Sequence, residues 1–223
     1  MKPRYFIFDM DGVLVDSEPM HRQIICEVFN ELKINLSERY IEKSLTGMSA
    51  VPMWEKVKTE AGRSESADEL LQFHRDYFYE RLPKIEVSEV LGVIELIHRL
   101  KANHFSLAIA SSSTRKLIDF FIDKLKISHF FDVIISGDDV QYSKPFPEIF
   151  LKVAEKYQAS PEQFWVIEDS KNGVQAAKSA TMQCIGFKNP NSGNQDLSKA
   201  DIIINSMQEI TDTFIHNTLI INE

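Results

Sequence analysis

Only two cysteines occur in the chain, Cys26 and Cys184, far apart and outside any Cys-x-x-Cys spacing. That excludes a disulfide framework and a thiolate zinc site, and both residues are expected as small apolar core members. No cluster of His and Cys suits a zinc ion either. Basic runs are missing too: 25 Lys and Arg stand against 33 Asp and Glu, for a formal charge of -8. Nothing in that balance would track a phosphate backbone, so no nucleic-acid partner is expected. The first apolar segment is broken by Asp9, well before it reaches the length of a signal segment or a membrane span. A cytoplasmic monomer with no membrane partner is the expectation. Internal repeats and low-complexity tracts are absent as well.

What is present starts with Tyr5-Phe6-Ile7-Phe8-Asp9-Met10-Asp11-Gly12, an apolar run that stops on two carboxylates. The run lacks polar alternation, which suits a strand buried on both faces in a parallel sheet. Charges inside such a strand are costly, so Asp9 and Asp11 belong at its carboxyl end, where open α/β sheets place ligands. Gly12 lets the chain turn sharply just beyond them.

Across 223 residues, 43% of them hydrophobic, there is enough material for one large domain with a smaller insert. After the first strand, Asp16 or Ser17 can cap a helix with Glu18 and Pro19 in its first turn and an apolar stripe of Ile24, Ile25, Val28, Phe29 and Leu32. Further helices are predicted over about 38–45, 49–61 and 67–82, with no strand-like run between them. From Val87 the pattern changes to helices over about 88–102, 114–126, 147–158 and 171–180, alternating with strands at 105–110, 132–136, 164–168 and 183–187 and a last strand at 201–205. Such alternation predicts an α/β fold: a doubly wound parallel sheet with strand one in its middle, and a small all-helical insertion at about 17–85. Asn189–Asn194 reads as a long turn only.

Polar groups fall at four strand ends. Asp9 and Asp11 come first. Ser111 ends the second strand just before a helix, so its hydroxyl and the first free N–H groups of that helix would suit a phosphate. Lys144 follows in Ser143-Lys144-Pro145-Phe146-Pro147, and Glu168-Asp169 ends Phe164-Trp165-Val166-Ile167. A phosphate dianion approaches a carboxylate only when cations cancel the repulsion, and a magnesium ion with one lysine would do so. Magnesium takes hard oxygen ligands of the kind gathered here. Asp9 could then bind metal and attack phosphorus, with Asp11 protonating the leaving oxygen and later deprotonating water.

The stretch Phe8-Asp9-Met10-Asp11-Gly12-Val13-Leu14-Val15-Asp16-Ser17-Glu18, with Ala110-Ser111-Ser112, Ser143-Lys144-Pro145 and Glu168-Asp169-Ser170 with Gly173, resembles the four motifs of the haloacid dehalogenase superfamily. The resemblance spans the whole chain and is strongest to the β-phosphoglucomutase-like phosphatases. It implies a Rossmann-like catalytic core at 1–16 and 86–223 with a helical cap at 17–85. It also implies a magnesium-dependent phosphatase acting on a small phosphate monoester, a sugar phosphate, through an aspartyl phosphate. Asp9 would be the nucleophile and Asp11 the acid/base. Ser111, Ser112 and Lys144 would hold phosphate, with His21 and Gly47 contributing to substrate binding. Asp9, the Asp11 carbonyl, Glu168 and Asp169 would hold Mg2+. Dehalogenation is disfavoured, because members with that activity lack an acid/base Asp where Asp11 stands.

Two other functions stay open on the residues alone. A phosphosugar mutase needs a grip for a second phosphate, and the resembling mutases place an arginine three residues after the cap's Gly. This chain has Gly47-Met48-Ser49-Ala50 there, although Arg63, Arg75 or Lys84 could substitute. A non-catalytic phosphate-binding protein is the other, separable by metal-dependent hydrolysis of a generic aryl phosphate. His21 lies on the 21, 25, 28, 32 face of its helix, either packed at a cap–core seam or touching substrate near Asp11.

Overall fold

The computed structural model describes residues 4–45, 48 and 50–219. The apolar segments form six strands: β1 (Arg4–Phe8), β2 (Phe105–Ala110), β3 (Phe131–Ile135), β4 (Phe164–Glu168), β5 (Gln183–Phe187) and β6 (Ile202–Ile204). All pair in parallel, in the order β3-β2-β1-β4-β5-β6. The chain therefore winds outward from β1 through β2 and β3, then crosses back to β4 on the other side. The order reverses between β1 and β4, and that is where open α/β sheets bind ligands.

The four insertion helices are α1 (Glu18–Glu31), α2 (Glu38–Ser44), α3 (Ala50–Ala61) and α4 (Ala67–Arg81). The sheet's helices are α5 (Val93–Ala102), α6 (Arg115–Lys124), α7 (Glu148–Tyr157) and α8 (Lys171–Ser179). Phe6, Ile7 and Phe8 are all fully buried, as a strand covered on both faces requires. On one face Ile7, Ala108 and Val166 pack with Ile149, Phe150 and Val153 of α7 and Val174 and Ala177 of α8. The alternate residues Phe6 and Phe8 meet the rings of Phe105 and Phe131. Cys184 sits in this core, whereas Cys26 on α1 is only half-buried, so just one cysteine fills the core role expected of both.

The chain divides into two compact units, Met1–Asp16 with Val87–Glu223, and Ser17–Glu86. Described residues of the second unit contain helices and no strand. Trp54 is its fully buried centre: its ring meets Phe29, and its indole N–H donates to His74 Nδ1 at 3.2 Å. Ser66 opens α4 with a capping box shared with Glu69.

One boundary differs from expectation. The helix predicted from 88 starts only at Val93, because the preceding residues serve another purpose. Asp16 N–H donates to the Ser88 carbonyl at 2.9 Å and Val90 N–H to the Leu14 carbonyl at 3.1 Å, around an antiparallel bridge between Val15 and Glu89. The outgoing and returning passages of the insertion are thus tied to each other. Gly92 then turns the chain into α5 with φ of 85°, a left-handed conformation that side-chain-bearing residues adopt at a cost. A Cβ there would also press on Gln208 and Met207. Gly92→Ala should lower stability by about 1–2 kcal/mol, read as a shift of the urea midpoint with unchanged slope.

Candidate active site

Strand register sets the level of the site. Phe8 pairs with Ile109 of β2 and with Ile167 of β4, and the Asp9 N–H continues the ladder to the Ile167 carbonyl at 3.1 Å. Ser111 N–H likewise donates to the Ile135 carbonyl of β3 at 3.1 Å. Asp9, Ser111 and Glu168-Asp169 consequently emerge side by side at the carboxyl edge.

Lys144 reaches this edge from the loop after β3. Its ammonium donates to Asp9 Oδ1 at 2.6 Å, Glu168 Oε1 at 2.7 Å and the Ala110 carbonyl at 2.9 Å. It also lies 5.1 Å from the Phe150 ring centroid. The Lys144 side chain is 6% exposed and that of Glu168 1%, so these are buried ion pairs, which solvent screens little.

Asp9, Glu168 and Asp169 each offer a carboxylate oxygen, all within 4.8 Å of one another. Burial pushes the Asp9 carboxyl up to about 7 against the opposing pull of Lys144, and the Glu168 and Asp11 carboxylates add to the rise. Asp169 is raised well above the ordinary value by burial, then by Glu168 and Asp9. Burial disfavours the Lys144 ammonium, yet Asp9 and Glu168 outweigh it and hold its pKa above the lysine norm. Three buried carboxylates facing one ammonium form a site short of positive charge. An all-oxygen donor set of this kind fits a hard divalent cation.

Asp11 is arranged differently. Its Oδ2 accepts from the Ser113 hydroxyl at 2.8 Å, while Oδ1 is buried with no hydrogen-bond partner among the described residues. Its carboxylate lies outside the three-carboxylate group. Ser111 is buried, and its Oγ accepts from the Ser113 N–H at 3.1 Å. Ser112 is exposed and accepts from the Ser143 hydroxyl at 2.8 Å. Helix α6 starts at Arg115, later than expected, and the Arg115 N–H is taken by Asp138 Oδ2 at 2.8 Å. That N–H is therefore not the free phosphate donor anticipated from the sequence.

The remaining predicted site residues belong to the second unit. His21 stacks on Phe78 with centroids 5.5 Å apart. Gly47 lies outside the described residues. Of the substitute cations, Arg63 is committed within its own unit, donating to the Leu32 carbonyl at 3.0 Å and to the Glu65 carboxylate. Arg75 and Lys84 are exposed.

The loop after β5, read above as a plain turn, supports the site. Asn189 Nδ2 donates to the Gly12 carbonyl at 2.8 Å, and Asn191 Nδ2 to both Asp16 carboxylate oxygens at 3.0 and 2.9 Å. The Ser192 hydroxyl donates to Asp169 Oδ2. Gly12, at φ of 79°, has no room for a Cβ, which would strike that Asp169 carboxylate and Ser192. Ser113, too, carries no mark of its own in the sequence beyond the position of its loop: it and the Asn189–Ser192 stretch follow β2 and β5, the strands that flank β1 and β4.

The family described as haloacid dehalogenase-like hydrolase matches residues 6–187. The chain belongs to that family. Among curated relatives of this haloacid dehalogenase-like chain is a phosphorylated carbohydrates phosphatase of Thermotoga maritima, 35% identical over 183 residues, covering 80% of this chain and 82% of the relative. Hexitol phosphatase B of Escherichia coli K12 is 28% identical over 211 residues, with 92% and 93% covered. A solved structure titled putative beta-phosphoglucomutase from Thermotoga maritima superposes with a TM-score of 0.79 at 28% identity, covering 97% of this chain and all of that one. No helix among the described residues is long and apolar enough to cross a membrane.

The pKa shifts predict a linkage between metal and pH. With metal chelated, folded Asp9 keeps its proton up to about 7, while the unfolded chain releases it near 3.8. The folded state therefore binds more protons across that window, and this group's contribution to stability falls as pH rises from about 4 to about 7, then levels off. Asp169 acts with the same sign. A divalent ion held there would favour the ionised carboxylates and reverse the loss, so the melting-temperature gap between Mg2+ and EDTA is expected to widen with pH through that window. A gap independent of pH would contradict the assignment.

Proposed function

We propose that this chain is a magnesium-dependent phosphatase that hydrolyses a small phosphate monoester, a sugar phosphate, through an aspartyl phosphate on Asp9. The observation that carries this reading is the pairing of a buried, lysine-held Asp9 with an Asp11 whose Oδ1 has no hydrogen-bond partner among the described residues. One carboxylate is placed to bond phosphorus, and the other is left with an oxygen to exchange a proton. Names of the relatives support the substrate class, since one is a phosphatase of phosphorylated carbohydrates and another of hexitols.

In this reading Asp9 Oδ2 attacks phosphorus, because Oδ1 is the oxygen held by Lys144. The Lys144 ammonium offsets the charge of the approaching phosphate, and the Ser111 and Ser112 hydroxyls donate to its oxygens. Asp11 protonates the departing alkoxide and then removes a proton from the water that opens the acyl phosphate. Asp9, Glu168, Asp169 and the Asp11 carbonyl would hold Mg2+, which supplies further neutralisation of the phosphoryl oxygens. The helical unit Ser17–Glu86 would serve as the cap that selects substrate, with His21 and Gly47 as its substrate-binding residues. In this reading the chain acts as a cytoplasmic monomer.

A mutase is the second reading, favoured by the structural likeness to a putative beta-phosphoglucomutase. Ala50 and the internal commitment of Arg63 argue against a grip for a second phosphate. Assayed side by side with a bisphosphate primer present, free phosphate should form from a small monophosphate and glucose 6-phosphate should not form from β-glucose 1-phosphate. Glucose 6-phosphate appearing faster than phosphate would replace the phosphatase reading with the mutase one. Asp9→Asn should fold normally and lose about 10⁴-fold or more in kcat. Activity comparable to wild type in that variant would eliminate the aspartyl phosphate.

A further inference from the structure

Between Ser111 and α6, the Ser113 hydroxyl meets Asp11 Oδ2 at 2.8 Å, while the other oxygen of that carboxylate is buried and unpartnered among the described residues. We propose that Ser113 is a positioning residue for the acid/base step, fixing the Asp11 carboxyl group so that Oδ1 carries the transferred proton. This rests on the hydrolysis proposed above. A carboxylate oxygen that accepts a hydroxyl hydrogen is the less basic of the pair, so the proton resides on its partner. With one oxygen tethered, rotation of the group about its terminal torsion is also restrained, and that torsion is otherwise broad.

The tether starts from a fixed point. Ser113 N–H donates to Ser111 Oγ at 3.1 Å, and the Ser113 carbonyl accepts from the Gly137 N–H at 2.9 Å. Its backbone is thus held on both sides without help from the hydroxyl. Ser113→Ala removes the bond to Asp11 and leaves the loop's other bonds in place. In the first half-reaction an Asp9 oxygen–phosphorus bond forms, the ester phosphorus–oxygen bond breaks, and the leaving oxygen takes the proton from Asp11 Oδ1. In the second, water oxygen bonds phosphorus, the Asp9 oxygen–phosphorus bond breaks, and the water proton returns to Oδ1. A misaligned Asp11 harms the first half most when the leaving group is a poor one that needs the proton.

The test compares kcat/KM for phenyl phosphate and p-nitrophenyl phosphate, similar in shape but different in leaving-group basicity, with Mg2+ present. Ser113→Ala should lower the phenyl value by about 10-fold or more and the p-nitrophenyl value by less than about threefold. Ser113→Thr, which keeps the hydroxyl, should stay within about threefold of wild type on both. Ser113→Cys, a weaker donor, should fall between Ala and Thr, and it keeps the comparison available if the alanine variant melts early. Equal losses on the two esters, or no loss, would overturn the role of Ser113 while leaving the phosphatase reading intact. Wild type turning over neither ester, by contrast, would overturn both.

Discussion

Everything at the carboxyl edge of the sheet depends on one buried ammonium. Lys144 has three protons to donate, and the structure gives each an acceptor: Asp9, Glu168 and the Ala110 carbonyl. An ammonium so satisfied is fixed in direction as well as in place. Two carboxylates in a low-dielectric space repel by several kcal/mol at contact distance, by an order-of-magnitude Coulomb estimate, and Lys144 is the cation that lets Asp9 approach Glu168. Its pull on Asp169 is the smallest of the influences there, and that carboxyl stays raised by burial and by Glu168 and Asp9 despite it. That residual imbalance is what makes the three carboxylates a fitting site for a divalent ion.

The ammonium can do this only because the sheet brings its partners to one level. Parallel pairing of β1 with both β2 and β4 leaves the residues after Phe8, Ile109 and Ile167 in register, so three separate segments deliver polar groups to one spot. Hydrophobic burial fixes that register: a one-residue slip would turn Phe6 and Phe8 to the face now filled by Ile7. Fold stability and site geometry therefore rest on the same apolar residues.

Much of this was legible in the sequence, for a definite physical reason. Long apolar runs ending on Asp9, Ser111 and Glu168 signal strand ends, and strand ends in a parallel sheet converge. What stayed hidden was contact between loops. Ser113 sits in a run of three serines, and nothing in a linear pattern separates the one that meets Asp11 from its neighbours. Ser192 and Asn189 lie in a stretch whose composition marks a turn, and composition cannot say that the turn folds back onto Gly12 and Asp169. The late start of α5 escaped for the same reason. Val87–Val90 has good helical periodicity, but pairing with Leu14–Asp16 wins over local propensity.

The loop after β5 has a wider consequence. Within Asn189–Ser192, one side chain holds the Gly12 carbonyl, a second the Asp16 carboxylate and a third the Asp169 carboxylate. Asp16 is the last residue of its unit before the helical insertion begins, and its own N–H is tied to the returning passage at Ser88. A single short loop thus sets both the orientation of a candidate metal ligand and the point from which the insertion departs. Displacing Asp169 would pull on Ser192 and, one residue away, on the anchor of Asp16. The bonds to Gly12 and Asp169 are buried, and a bond of that kind costs about 1–3 kcal/mol to leave unmade, so the two ends of the loop are held together by more than chain connectivity.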